Sequence, residues 1–217
     1  MSSALPTQID LTDDLAGALP QAPLSQVPMS QVIISFAEDL IALPNFGELE
    51  ALYQQDKIVA ILQQVLQYFE IHRDTTEIPS QLGEFIFQKT VELEIYVTEP
   101  VEARAINLDA RGKDYATNIL SYASELPEAV LELLPALPLG ELVICHAVVV
   151  SQAAEQGKTA QQHLTHLLVH GMLHLLGFDH ELGQAEQDEM EAIEIAVLNK
   201  LSVVSYTHLT LPTKRIV

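Results

Sequence analysis

The sequence is poor in three things, and each absence excludes a class of protein. Among 217 residues there is a single cysteine, Cys145. That excludes an intrachain disulfide framework and a multi-cysteine metal site, and it fits a reducing, cytoplasmic compartment. Lysine and arginine together number 10 against 30 aspartates and glutamates, a formal charge of −20. Broad electrostatic binding to nucleic acid needs many cationic contacts with phosphate. Any nucleic-acid chemistry must therefore rest on a local site. No apolar run approaches the ~18 residues of a bilayer-spanning helix, and the N-terminus lacks the basic-then-apolar pattern of a secretory signal. Neither a membrane nor DNA is expected as a partner. What remains, 48% hydrophobic and 18% charged residues, is the composition of a folded domain, and the length suits one.

The two ends differ from the middle. Residues 1–56 hold no Lys or Arg but eight Asp/Glu. Residues 1–30, with prolines at 6, 20, 23 and 28 and no sustained period, read as a disordered acidic extension. Val204 to Val217 (VSYTHLTLPTKRIV) does not continue the preceding helical pattern. It resembles the translation of a transposon adapter used in sequencing libraries, and is expected to be a non-native tail outside the fold. One domain is expected over residues 31–203.

Hydrophobic periodicity sets out that domain. Val32 to Phe36 reads as a strand, and residues 48–70 as an amphipathic helix broken near Asp56. Val91 to Val97 alternates with period two, a strand with one wet face. Pro100 opens a helix running to about Ala110, and Arg111 to Asp114 is a turn. Strands follow at 119–122 and 142–145, with 123–139 read as mainly a connection. Helices at about 146–156, 159–176 and 184–200 complete the chain. The expected fold is α+β: a small mixed sheet of about four strands packed with about five helices, carrying its metal site on a helix-turn segment.

The informative segment is His170-Gly171-Met172-Leu173-His174-Leu175-Leu176-Gly177-Phe178-Asp179-His180. His170 and His174 stand four apart on a helix, so both rings share a face. Gly177 permits a sharp turn that can return His180 to the same point. Three imidazoles with a fourth position open to water are the ligand count of a catalytic zinc site. The plain alternative, a helix with structural histidines, explains a single core histidine better than three around a glycine turn. The spacing also matches the metzincin pattern HExxHxxGxxH, except that Gly171 stands where the general-base glutamate would be. That supports zinc and argues against peptide hydrolysis.

The motif HGMLHLLGFDH resembles the H-G-x-L-H-L-x-G-[YF]-D-H signature of the YbeY family of rRNA-processing endoribonucleases. Asn107-Leu108, Arg111 and Thr117-Asn118-Ile119-Leu120-Ser121 resemble a second family block. Gly140 to Ile144 resembles a third, and Met190-Glu191-Ala192-Ile193-Glu194 a fourth; together they cover roughly 90–203. The departures are Glu141 where the family usually has Asp, Ala110 before the arginine, and Tyr122-Ala123 in place of Phe-Pro. The resemblance implies one zinc ion on His170, His174 and His180, with Arg111 as a functional arginine. It also implies single-stranded rRNA as substrate, and a ribosome or ribosomal protein as partner. Independently, a guanidinium suits phosphate because it offers paired donors and keeps its charge; a surface ion pair is the plainer role, and Lys113 is expected to be solvated.

Around this core, His166 is expected to support a ligand ring, line the cleft or pack the helix. Asp179 orients His180 or a ligand water, or stabilises the turn. Glu141 is a supporting or structural carboxylate. His163 is expected at the surface and Cys145 in the core; His146 follows the Cys145 strand and could reach the cleft, though that is the less favoured placement. Two other functions stay open: a non-catalytic, metal-stabilised ribosome-assembly factor, and a metzincin-like hydrolase lacking its glutamate.

Overall fold

The computed structural model describes residues 29–83 and 85–201. The extension expected at 1–30 (Met29 and Ser30 apart) and the tail expected at 204–217 lie outside the described residues. Four strands form one mixed sheet. β1 (Ser30–Phe36) and β4 (Ala136–Cys145) flank β2 (Thr90–Thr98) in parallel, and β3 (Ile119–Ala123) pairs antiparallel with β4. The order is β1-β2-β4-β3. Five helices have ten residues or more: α3 (Gln55–Ile71), α4 (Pro100–Arg111), α6 (His146–Glu155), α7 (Ala160–Leu175) and α8 (Gln184–Lys200). Three short ones, α1 (Glu38–Ile41), α2 (Phe46–Glu50) and α5 (Glu128–Leu133), fill connections. The expected α+β architecture is the observed one. No helix among the described residues is long and apolar enough to cross a membrane.

Local chemistry places the elements that matter. In β2 the alternating Val91, Leu93, Ile95 and Val97 are all buried, which sets its inward face. Pro100 takes the first position of α4, and the Glu99 carboxylate accepts the Val101 and Glu102 N–H groups at 2.9 and 2.7 Å. That cap satisfies donors the helix cannot. The other end of α4 stops at Gly112, leaving Arg111 as its last residue. α7 starts with a reciprocal cap. Thr159 Oγ1 accepts the Gln162 N–H at 3.1 Å, and Gln162 Oε1 accepts the Thr159 N–H at 2.9 Å.

α7 crosses the sheet and has α3, α6 and α8 packed around it. Such a helix must be apolar on nearly all sides. From His163 to Leu175 every residue is buried except His170 and His174. Gly171 lets it come close: a Cβ there would lie 2.8 Å from both Ile119 Cδ1 of β3 and Leu142 Cδ2 of β4.

Two expectations need correction. The stretch 123–139 is more than a connection, since it holds α5 and the first half of β4. Pro138 and Gly140 hid that strand. β3 pairs with β4 only from Gly140 onward, so Pro138 has one neighbouring strand, beside a register shift at Glu92/Leu93. A residue without an N–H is tolerated at such a place. The break in the 48–70 helix falls at residues 51–54, between α2 and α3.

Candidate metal centre

His163, His166, His170 and His174 recur at intervals of three, four and four, forming one stripe along α7. The stripe faces a cleft of about 980 Å3, bounded by β3, the end of α4, α6 and the turn after α7. In that turn Gly177 has a φ of 93°, which residues bearing a Cβ rarely adopt. A Cβ would also lie 2.8 Å from the Ser80 nitrogen, whose N–H donates to the Leu176 carbonyl at 3.1 Å. The loop at 72–80 thus braces the turn that delivers His180.

The three signature histidines converge. Ring centroids are 4.6 Å apart for His170 and His174, and 5.2 Å apart for each of these with His180. One ligand atom from each lies within 4.8 Å of the others. His170 Nε2 and His174 Nε2 face each other at 3.2 Å. Two nitrogens on a tetrahedral zinc at ~2.0–2.1 Å stand roughly 3.3–3.4 Å apart, so this donor set fits such an ion. Burial first, then His170 and His180, pull the His174 imidazole down to about 4. At neutral pH it keeps a lone pair to offer, as metal ligation requires.

Behind the cluster stands a residue that pattern reading passed over. Glu194 of α8 is 7% exposed. Its Oε1 is 2.7 Å from His170 Nδ1 and its Oε2 is 3.2 Å from His166 Nε2. Burial pushes this carboxyl up, but the bonds from His166 and His170 more than offset that and hold it down at about 2. An ionised carboxylate only accepts hydrogen bonds, so both ring nitrogens donate. His170 therefore carries its proton on Nδ1 and turns Nε2 to the cluster. A signal for Glu194 did exist: it shares the core-facing stripe of α8 with buried Met190, Ile193, Val197 and Leu198, where an unpaired carboxylate would be costly.

Arg111 lines the same cleft, the only Lys or Arg among its lining residues. It donates to Glu181 Oε1 at 3.0 Å with its side chain 48% exposed. Asp179 lines the cleft as well, and its Oδ1 accepts the Glu181 N–H at 2.9 Å, stabilising the turn. Glu141 is not among the lining residues. Leu142 faces Gly171, and alternation sends its neighbour to the other side of the sheet. There Glu141 lies beside Glu94, and burial and that charge push its carboxyl up. His163 corrects another expectation, being 2% exposed. α6 covers it, and its Nε2 lies 3.1 Å from Gln152 Oε1. His146 is also away from the cleft, bonded to the Tyr53 hydroxyl at 3.2 Å. Lys113 does not line the cleft, and Cys145 is buried as expected.

Fold and cleft together define an α+β protein with a three-histidine candidate metal centre at a sheet edge. The chain belongs to the YbeY family: the family model described as Endoribonuclease YbeY matches residues 52–202. Endoribonuclease YbeY of Psychrobacter cryohalolentis is 65% identical over 116 residues, which is 54% of this chain and 75% of that protein. Endoribonuclease YbeY of Acinetobacter baumannii is 44% identical over 153 residues, 69% of this chain and 97% of that protein. A solution structure from Thermotoga maritima aligns with 80% of this chain and 91% of its own at 20% identity, with a TM-score of 0.41, a likeness too loose to argue from.

Proposed function

We propose that the chain is a zinc-dependent, single-strand-specific endoribonuclease of the cytoplasm. It would act in rRNA 3′-end maturation and ribosome quality control, with residues 31–203 as the catalytic domain. The observation that carries this reading is the convergence of His170, His174 and His180 in the cleft that Arg111 also lines, in a chain of this family. Three imidazole nitrogens suit zinc. When bound there, zinc would lower the pKa of a coordinated water to about 7 and polarise a phosphoryl oxygen.

The chain's own residues do the rest. The Arg111–Glu181 pair is an exposed one, of a kind worth ~0–1 kcal/mol. The guanidinium can exchange it for an RNA phosphate and clasp two oxygens at once. Gly171 supports phosphodiester over peptide chemistry, because α7 rides too close to Ile119 and Leu142 for a glutamate side chain there. With one cation in the cleft and a charge of −20, affinity for free RNA is expected to be weak and salt-sensitive. A ribosome or ribosomal protein that presents the single-stranded rRNA end would supply what charge does not.

The test is cleavage of a labelled single-stranded rRNA 3′ fragment by the zinc-loaded chain, beside His174→Ala and Arg111→Lys prepared identically. The parent alone should cut at full rate, with His174→Ala inactive. Arg111→Lys should be slower by about tenfold or more, the loss expected when a charged paired hydrogen bond goes. Equal cutting by all three would sink the assignment of activity to this site. Zinc binding without cleavage, even with ribosomes added, would favour the non-catalytic assembly factor.

A further inference from the structure

Glu194 spans two turns of α7. One oxygen accepts a hydrogen bond from His170 Nδ1–H and the other from His166 Nε2–H. His170 is a candidate ligand, whereas His166 lies outside the three-residue group. The carboxylate comes from a different helix, twenty-four residues further on, at a buried position on the apolar stripe of α8. A glutamate is expensive there unless both oxygens are satisfied. The other buried positions of α8 are all apolar: Met190, Ile193, Val197 and Leu198.

We infer that Glu194 is the positioning residue of the metal centre, fixing the tautomer and aim of the His170 ring, with His166 locking the carboxylate in register. The inference rests on the metal reading above. Its chemistry is a proton assignment. With Nδ1–H tied to Glu194, the lone pair of His170 can only lie on Nε2, the nitrogen that faces His174 Nε2 at 3.2 Å. His166 is not one of the three candidate ligands, and its ring centroid lies 6.4 Å from that of His170. It donates to the second oxygen and prevents the carboxylate from swinging off the first. Glutamine has the same shape but only one accepting oxygen. Its amide N–H2 must therefore meet either His166 or His170, and one ring has to change tautomer. If that ring is His170, its Nε2 becomes protonated and the lone pair leaves the cluster.

The experiment uses the full chain and zinc itself. Zinc affinity is measured by competition with a chromogenic chelator for the parent, Glu194→Leu and His166→Gln. In parallel, histidine-selective 15N labelling reports which ring nitrogen carries the proton in the zinc-loaded parent. Glu194→Leu should bind zinc about tenfold to a hundredfold more weakly, the usual effect of losing such a partner. His166→Gln should show a smaller loss. The parent spectrum should place a proton on His170 Nδ1. A proton on His170 Nε2 in the parent overturns the inference without any variant, so a Glu194→Leu chain that fails to fold does not protect it. Affinity within threefold of a zinc-binding parent in folded Glu194→Leu, which offers His170 no acceptor in any orientation, overturns it too, leaving the metal reading intact. A parent that binds no zinc removes both.

Discussion

Replacing Gly171 with alanine sets two effects against each other inside α7. Alanine in a helix interior gains about 1 kcal/mol over glycine. The new Cβ, however, would lie 2.8 Å from Ile119 Cδ1, 2.8 Å from Leu142 Cδ2 and 3.3 Å from Ser121 Oγ. Comfortable carbon contacts begin near ~3.5 Å. The two close atoms are side-chain tips, but both residues are buried, Leu142 completely so. Close-packed interiors offer such tips no void to swing into. Overpacking of this kind costs ~1–3 kcal/mol. The net expectation is a loss of about 1 kcal/mol and a Tm lower by ~2–4 °C for a domain of this size. Pushing α7 off the sheet also moves His170, the adjacent residue, so zinc binding should weaken in step. A double-mutant cycle sharpens the test, because Ile119→Val removes the Cδ1 that clashes. Alone it should cost ~0.5–1.5 kcal/mol, and combined with Gly171→Ala the double variant should lose less than the sum of the two single losses, by at least ~0.5 kcal/mol. Urea denaturation of the zinc-free proteins measures all four corners. Gly171→Ala at or above parental stability, or zero coupling, would refute the close approach and the steric reason for a missing glutamate.

Burial first of all holds His163 and His174 at about 4 each, below their ordinary 6.5. The folded chain then binds fewer protons than the unfolded one, so stability present above pH 6.5 is lost as pH falls toward 4. Thermal melts of chelator-treated protein should show this, and a flat Tm between pH 7 and 4.5 would contradict it. Gly177→Ala imposes a side chain on a φ of 93° and a 2.8 Å approach to the Ser80 nitrogen. A stability loss of ~1 kcal/mol or more is expected, together with weaker zinc binding in chelator competition. Unchanged zinc affinity would show that the turn does not need the glycine.

The sequence made legible whatever one local pattern decides. Alternation exposed β2, Pro100 exposed the start of α4, and the i, i+4 spacing around a glycine turn exposed the three histidines. The rest depended on what the chain packs against elsewhere. His163 looked like a surface residue because nothing local says that α6 will cover it. Glu141 looked like a candidate supporting carboxylate because its sheet face is set only when Leu142 meets Gly171 across the core. β4 hid its first half behind Pro138, which is acceptable only where β3 has not yet joined. Glu194 lay in a quoted family block and in the apolar stripe of α8, yet a carboxylate on a helix usually signals solvent. Its partners are on another helix, and periodicity does not cross that gap.

The order of strands in the sheet is not their order of synthesis. β4 is made last of the four, yet it lies between β2 and β3. Neither partner can be fully paired until residue 145 exists. The cleft is later still, since α7 and then α8 follow. Glu194 emerges twenty-four residues after His170, roughly one to five seconds later at common rates of translation. Through that interval a growing chain holds the first imidazoles of the cluster without the carboxylate that aims one of them. The metal centre proposed above is therefore complete only once α8 has docked.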